Sequence, residues 1–73
     1  MNTVELIKKL RSKGVPDSFY NINGTGEIDQ RMCMEYVHDK WLVYFSERGR
    51  KFDIESFDTE EQACVEIYSR LVE

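Results

Sequence analysis

The sequence has few of the residues that crosslink, kink or interrupt a chain. Among 73 residues there is one proline, Pro16, four glycines, two cysteines and one histidine. Two cysteines are too few for the disulfide framework of a small secreted domain, so Cys33 and Cys64 read as small buried hydrophobes. A single histidine removes most routes to a zinc centre, because His38, Cys33 and Cys64 supply three ligands where four are needed, at unsuitable spacings. No apolar run approaches the length of a membrane span or a signal-peptide core. These absences point to one cytoplasmic, unprocessed domain over residues 1–73, with no metal and no cofactor.

What is present suits a folded domain. Hydrophobic residues make up 41% of the chain and charged residues 33%, the balance of an ordinary globular protein. Four Phe, four Tyr and Trp41 supply enough apolar surface to oppose ordering entropy. A chain this short still buries only about 60% of what its unfolded form exposes, so it has one modest core and no second lobe.

Charge is unevenly spread around the net −4. Residues 1–13 carry +3, residues 53–73 carry −6 and the middle is near neutral. Acidity concentrated at one end repels phosphate backbones and favours a basic partner, although a solvated helix surface has the same composition.

The elements follow from periodicity and end signals. Asn2 with Glu5 three residues on is a capping-box variant, and Leu6, Ile7 and Leu10 share a helical face. Gly14 and Pro16 stop the helix, which is expected over 3–13. Phe19-Tyr20-Asn21-Ile22 reads as a short strand, Asn23-Gly24 as a turn signal and Thr25 to Gln30 as loop. From Arg31 the period becomes two. Met34, Tyr36, Trp41, Val43 and Phe45 fall on one face whether the hairpin turn is 38–39 or 39–40. After a turn at 47–50, a strand from Lys51 to Phe57 is expected to add Phe52 and Ile54 to that face, with Asp53 and Glu55 on the other. A last helix begins at Asp58 or Thr59, both of which have capping-box spacing, and buries Ala63, Cys64, Ile67, Tyr68 and Leu71. The expected fold class is α+β, a single small α-β-β-β(-β)-α domain whose antiparallel meander carries both helices on one sheet face.

Several chemistries are weak. Asn21, Asn23, Thr25, Gly26, Ile28 and Asp29 match part of a calcium-loop spacing, but Met32 stands where a bidentate Glu is required and no helix can follow. Gly24-Thr25-Gly26 lacks the Lys-Ser/Thr of a phosphate loop. His38 sits in a turn with no nucleophile at a sensible distance, so the chain does not read as an enzyme. The element order resembles the double-stranded-RNA-binding domain. That family grips phosphates with lysines at the start of its second helix, where this chain has Thr59-Glu60-Glu61-Gln62, so nucleic acid is not expected as a partner.

The surface left over is the sheet face away from the helices. It is expected to show Glu35, Val37, Leu42, Tyr44, Asp53 and Glu55, with Phe57 at its border. An apolar centre edged by carboxylates suits a protein-binding patch, and the contact set chosen from it is Glu35, Leu42, Tyr44, Asp53 and Glu55. A half-wet sheet face is the plainer reading, and a homodimer through this face would also hide it.

Three segments carry a resemblance. They are Cys33-Met34-Glu35, the run Trp41-Leu42-Val43-Tyr44-Phe45-Ser46-Glu47-Arg48-Gly49, and Phe57-Asp58-Thr59-Glu60-Glu61-Gln62-Ala63-Cys64. With Gly14-Val15-Pro16, Tyr20 and Ile22, they resemble small bacterial immunity proteins that accompany polymorphic or contact-dependent toxins. The likeness runs from residue 6 to 71. It implies a binder of a cognate toxin domain, basic and nuclease-like on charge grounds, acting by occluding the toxin's active site. The motif residues are mostly core and turn, so no binding residue transfers through them. The alternative is a small adaptor or homodimeric accessory domain.

Overall fold

The computed structural model describes residues 1–22 and 26–73. Helix α1 spans Thr3–Ser12, a 3₁₀ turn spans Asp17–Phe19, and the strands are β1 (Tyr20–Asn21), β2 (Arg31–Val37), β3 (Lys40–Glu47) and β4 (Arg50–Phe57), followed by helix α2 (Glu60–Val72). The sheet order is β1-β2-β3-β4, with β2, β3 and β4 antiparallel and the two-residue β1 parallel to β2. The α+β class and its element order are as expected, with one parallel pair added. The Asn23-Gly24 turn signal lies outside the described residues.

Both helices are fixed at their ends by side chains. Asn2 Oδ1 accepts the Glu5 N–H at 2.9 Å, and Glu5 Oε1 accepts the Asn2 N–H at 3.4 Å. Gly14, at φ +79°, turns the chain out of α1 while its N–H bonds the Arg11 carbonyl and Val15 N–H bonds that of Leu10. This pair of bonds satisfies carbonyls that the helix end would otherwise orphan. Of the two candidate caps of α2, Thr59 is used: its Oγ1 accepts the Gln62 N–H at 3.2 Å, and Gln62 returns the bond at 3.2 Å. Asp58 pairs with Lys40 instead.

Two tight turns set the meander's register. His38–Asp39 and Arg48–Gly49 connect the strands, and all four residues have positive φ. Paired positive φ is the mark of a type I′ turn, whose twist matches that of the strands it joins. Met34 therefore lies opposite Val43, and Tyr36 opposite Trp41.

The core lies between one sheet face and both helices. Leu6 and Leu10 of α1, Ala63, Cys64 and Ile67 of α2, Met34 and Val43 of the sheet, with Tyr20 and Ile22, form one buried cluster. Tyr36 belongs to this face but is 56% exposed, packing against Trp41 at the hairpin tip with ring centroids 4.9 Å apart and the rings tilted by 47°. Cys33 and Cys64 are free thiols and fully buried.

β4 departs from the expected alternation. Val43 pairs with Glu55 and Phe45 with Phe52, so Tyr44 faces both Asp53 and Ile54 across the ladder. The extra residue is a β-bulge, and Asp53 carries the positive φ of 54° that such a site uses. One inserted residue exchanges the faces of everything beyond it. Glu55 and Phe57 thus share the helix-covered face with Val43 and Trp41, not the open face assigned to them by alternation. Ile54, expected in the core, is 53% exposed.

Candidate functional site

The five residues chosen as the contact set separate into two places. Glu35, Leu42 and Tyr44 remain together on the open face, where Glu35 pairs directly with Leu42, and Tyr44 with Cys33. Asp53 and Glu55 instead line a groove of about 560 Å³ on the helix side of β4, with Met32, Ile54, Glu66 and Arg70. The bulge is the physical reason for the split: it carries Glu55 to the helix-covered face, and Asp53 is the bulged residue itself, at positive φ.

Tyr44 is also less available than a sheet-surface residue should be, at 2% exposure. The stretch 26–30 closes over this end of the face. Asn21 Nδ2 donates to the Glu27 carbonyl at 2.9 Å, the Cys33 thiol lies 3.9 Å from the Ile28 carbonyl, and Arg48 N–H bonds Asp29 Oδ1 at 2.7 Å. Ser46, on the same face, is 2% exposed. The open face is thus roofed at the Tyr44–Ser46 end and left accessible toward Leu42, Glu35 and Val37, each half-buried.

Within that accessible part, Glu35 is held in a fixed pose. The Tyr44 hydroxyl donates to Glu35 Oε1 at 3.1 Å, and Lys51 Nζ lies 3.6 Å from the same oxygen. The Lys51 ammonium also sits 4.8 Å from the centre of the Tyr44 ring, a cation–π distance. Burial, and then the bond and charge of Glu35, push the Tyr44 phenol above its ordinary pKa, so it remains a neutral donor. Burial, followed by the charge of Glu35, raises the Cys33 thiol as well.

Lys51 was not among the residues chosen from the sequence. Its position opposite Ser46 puts it on the Tyr44 face by simple alternation, so the signal was there. Arg70 was missed too. It bonds Glu66 at 2.8 Å and Glu55 at 3.0 Å, and the four-residue spacing of Glu66 and Arg70 was its legible mark.

Much of the acidity of residues 53–73 is already engaged. Besides the pairs with Arg70 and Lys40, Glu60 Oε2 accepts the Thr3 N–H at 2.9 Å and Glu61 Oε1 pairs with the Met1 amine at 3.2 Å. These contacts dock α1 against the start of α2. They reduce the charge free to steer a partner.

No protein-family model, no curated protein and no solved structure matches this chain.

Among the described residues, no helix is long and apolar enough to cross a membrane. The chemistry the open face offers is recognition: an oriented carboxylate beside an aliphatic side chain, with a cation behind it.

Proposed function

We propose that this protein is an immunity-type binder that neutralises a toxin domain in the cytoplasm by covering its active site or substrate groove. It acts without catalysis, cofactor or nucleic acid. The supporting observation is Glu35, fixed by Tyr44 and Lys51 beside the accessible Leu42 of a sheet face that neither helix covers. A carboxylate oriented before binding loses little side-chain entropy on contact, and an adjacent apolar group supplies desolvation. A basic toxin surface, such as one that grips nucleic acid, is the complementary partner. The contact residues on this face are Glu35 and Leu42, with Tyr44 holding Glu35 from beneath. Asp53 and Glu55 belong to a different surface.

Affinity capture of the tagged protein from its source lysate, read by mass spectrometry, is the first experiment. One stoichiometric partner with a toxin-like domain is the expected result. Leu42→Arg combined with Glu35→Lys should then weaken that complex by about 100-fold or more, as central contacts do. Retained affinity in the double variant would exclude this face. Recovery of the protein alone, with the toxin confirmed as expressed, would overturn the immunity reading itself.

A further inference from the structure

The two edges of the sheet are unequal. One is β1, two residues long with both residues buried. The other is β4, eight residues long and exposed at every position from Arg50 to Ser56. Among the described residues no strand lies beyond β4, and a strand edge of that length is a template for another strand.

Two grooves flank β4. The first, of about 460 Å³, is lined by Glu47, Arg48, Arg50 and Phe52. It holds two arginines against one carboxylate. The groove of Asp53, Glu55 and Glu66 holds three carboxylates against Arg70. The edge is therefore basic at one end and acidic at the other, with Phe52 at 45% and Ile54 at 53% exposure between them.

We infer that β4 pairs antiparallel with β4 of a second copy of this chain, about a two-fold axis at Asp53–Ile54. The result is one continuous sheet through two four-stranded halves. Charge selects this occupant, because a two-fold antiparallel joint lays the basic end of each edge on the acidic end of the other. Register agrees. Setting Arg50, Lys51 and Phe52 opposite Phe57, Ser56 and Glu55 of the second copy matches faces at each pair. By the β3–β4 ladder, Arg50, Phe52, Glu55 and Phe57 lie on the helix-covered face, and Lys51 and Ser56 on the other. The bulge falls on the axis, where it interrupts neither half of the new ladder. Arg50 is then diagonal to Glu55 of the second copy, within reach of a long side chain. The inference goes beyond the toxin reading, and its deciding measurement, the oligomeric state of the free protein, needs no toxin.

Sedimentation equilibrium of the purified full chain, from micromolar to millimolar concentration, tests it. The wild type should dimerise within that range. Arg50→Glu and Glu55→Arg should each weaken the dimer by about tenfold or more, and the double reversal should restore it, since a pair that acts together is non-additive. Thermal melts of each variant establish that the monomers remain folded, and Ile54→Asp, which sets a carboxylate against Asp53 of the second copy across the axis, provides a second disruption. A wild type that stays monomeric at millimolar concentration overturns the inference. So does a dimer indifferent to both single reversals, or one that the double reversal fails to restore. Protection of β4 amides from hydrogen exchange by an added toxin domain, with the free protein monomeric, would give the edge to a foreign strand instead.

Discussion

β2 and β4 flank the same central strand and differ in almost everything else. β2 pairs with β3 without interruption from Arg31 to Val37, and its Cys33 and Met34 are fully buried on opposite faces. β4 slips by one residue at Asp53 and shows solvent from Arg50 to Ser56. Apolar patterning does not separate them, since Met32, Met34 and Tyr36 recur at alternate positions in β2 as Phe52 and Ile54 do in β4. What separates them is cover. β2 has β1 on its outer edge, the helices on one face and the 26–30 segment on the other. β4 has only the flank of α2. A strand's composition says that it has two faces; its neighbours decide whether either face is dry.

The largest way to test that contrast is to cut the core on each side. Met34→Ala removes a fully buried side chain beside Val43 and Ile67 and should cost roughly 2–5 kcal/mol in denaturant unfolding. Ile54→Ala, on the exposed edge, should cost less than about 0.5 kcal/mol. Comparable losses at the two sites would mean that the β4 edge is covered in solution.

Alkaline pH probes the same buried half. Burial, and then the charge of Glu60, raise the Cys64 thiol from its ordinary 9.0 to about 11. In the unfolded chain the thiol loses its proton near the ordinary value, while in the folded chain it keeps it. The folded state therefore binds more protons in that window, and stability falls as pH rises from about 9 to 11. The Cys33 and Tyr44 shifts have the same sign. A loss on the order of 2 kcal/mol is expected across the window. Cys64→Ala should flatten the slope, because it removes the titrating thiol; an unchanged slope would assign the effect elsewhere.

Tyr44→Phe isolates the polar link between the meander's strands. It deletes the hydroxyl that holds Glu35 while keeping the ring under Lys51. Glu35 is partly solvated and retains Lys51, so the expected cost is about 1 kcal/mol. If Glu35 contacts a partner, affinity should also fall although Tyr44 itself stays buried, through loss of the carboxylate's fixed pose. A stability change with binding untouched would make the link structural only.

How far the sequence reaches is clear from the same strands. Both capping boxes, the glycine stop at Gly14, the two hairpin turns and the Met34–Val43 core were legible because each depends on residues close in sequence or on strict alternation. The parallel pairing of β1 was not, since two residues carry no periodicity. The roof over Tyr44 was not, because it rests on single bonds from Asn21, Cys33 and Arg48 to a segment with no pattern. The candidate site suffered most. Its first three residues, Glu35, Leu42 and Tyr44, hold together because β2 and β3 share a regular ladder. Its last two were misplaced by one residue's worth of backbone at Asp53, where a single Asp inside an alternating run does not by itself announce a left-handed conformation.

That position gives the smallest and most specific test. A positive φ is unfavourable for most side chains, less so for Asp, whose short carboxylate tolerates the left-handed region. Asp53→Gly removes the remaining strain but frees the unfolded chain, which costs part of the gain. The net expectation is a stabilisation of about 0.5 kcal/mol with the bulge kept. Asp53→Val should act in the opposite direction, because its branched Cβ resists positive φ and favours regular strand. If Val is tolerated without loss, the strand has returned to plain alternation. Glu55 would then turn to the open face beside Leu42, and its bond to Arg70 would be broken. Hydrogen–deuterium exchange at β4 and the effect of Arg70→Ala in that background distinguish the two outcomes. A bulge that survives in solution leaves Arg70→Ala destabilising, because Glu55 and Glu66 then lose the cation between them; a regular strand makes the loss of Arg70 weigh on Glu66 alone.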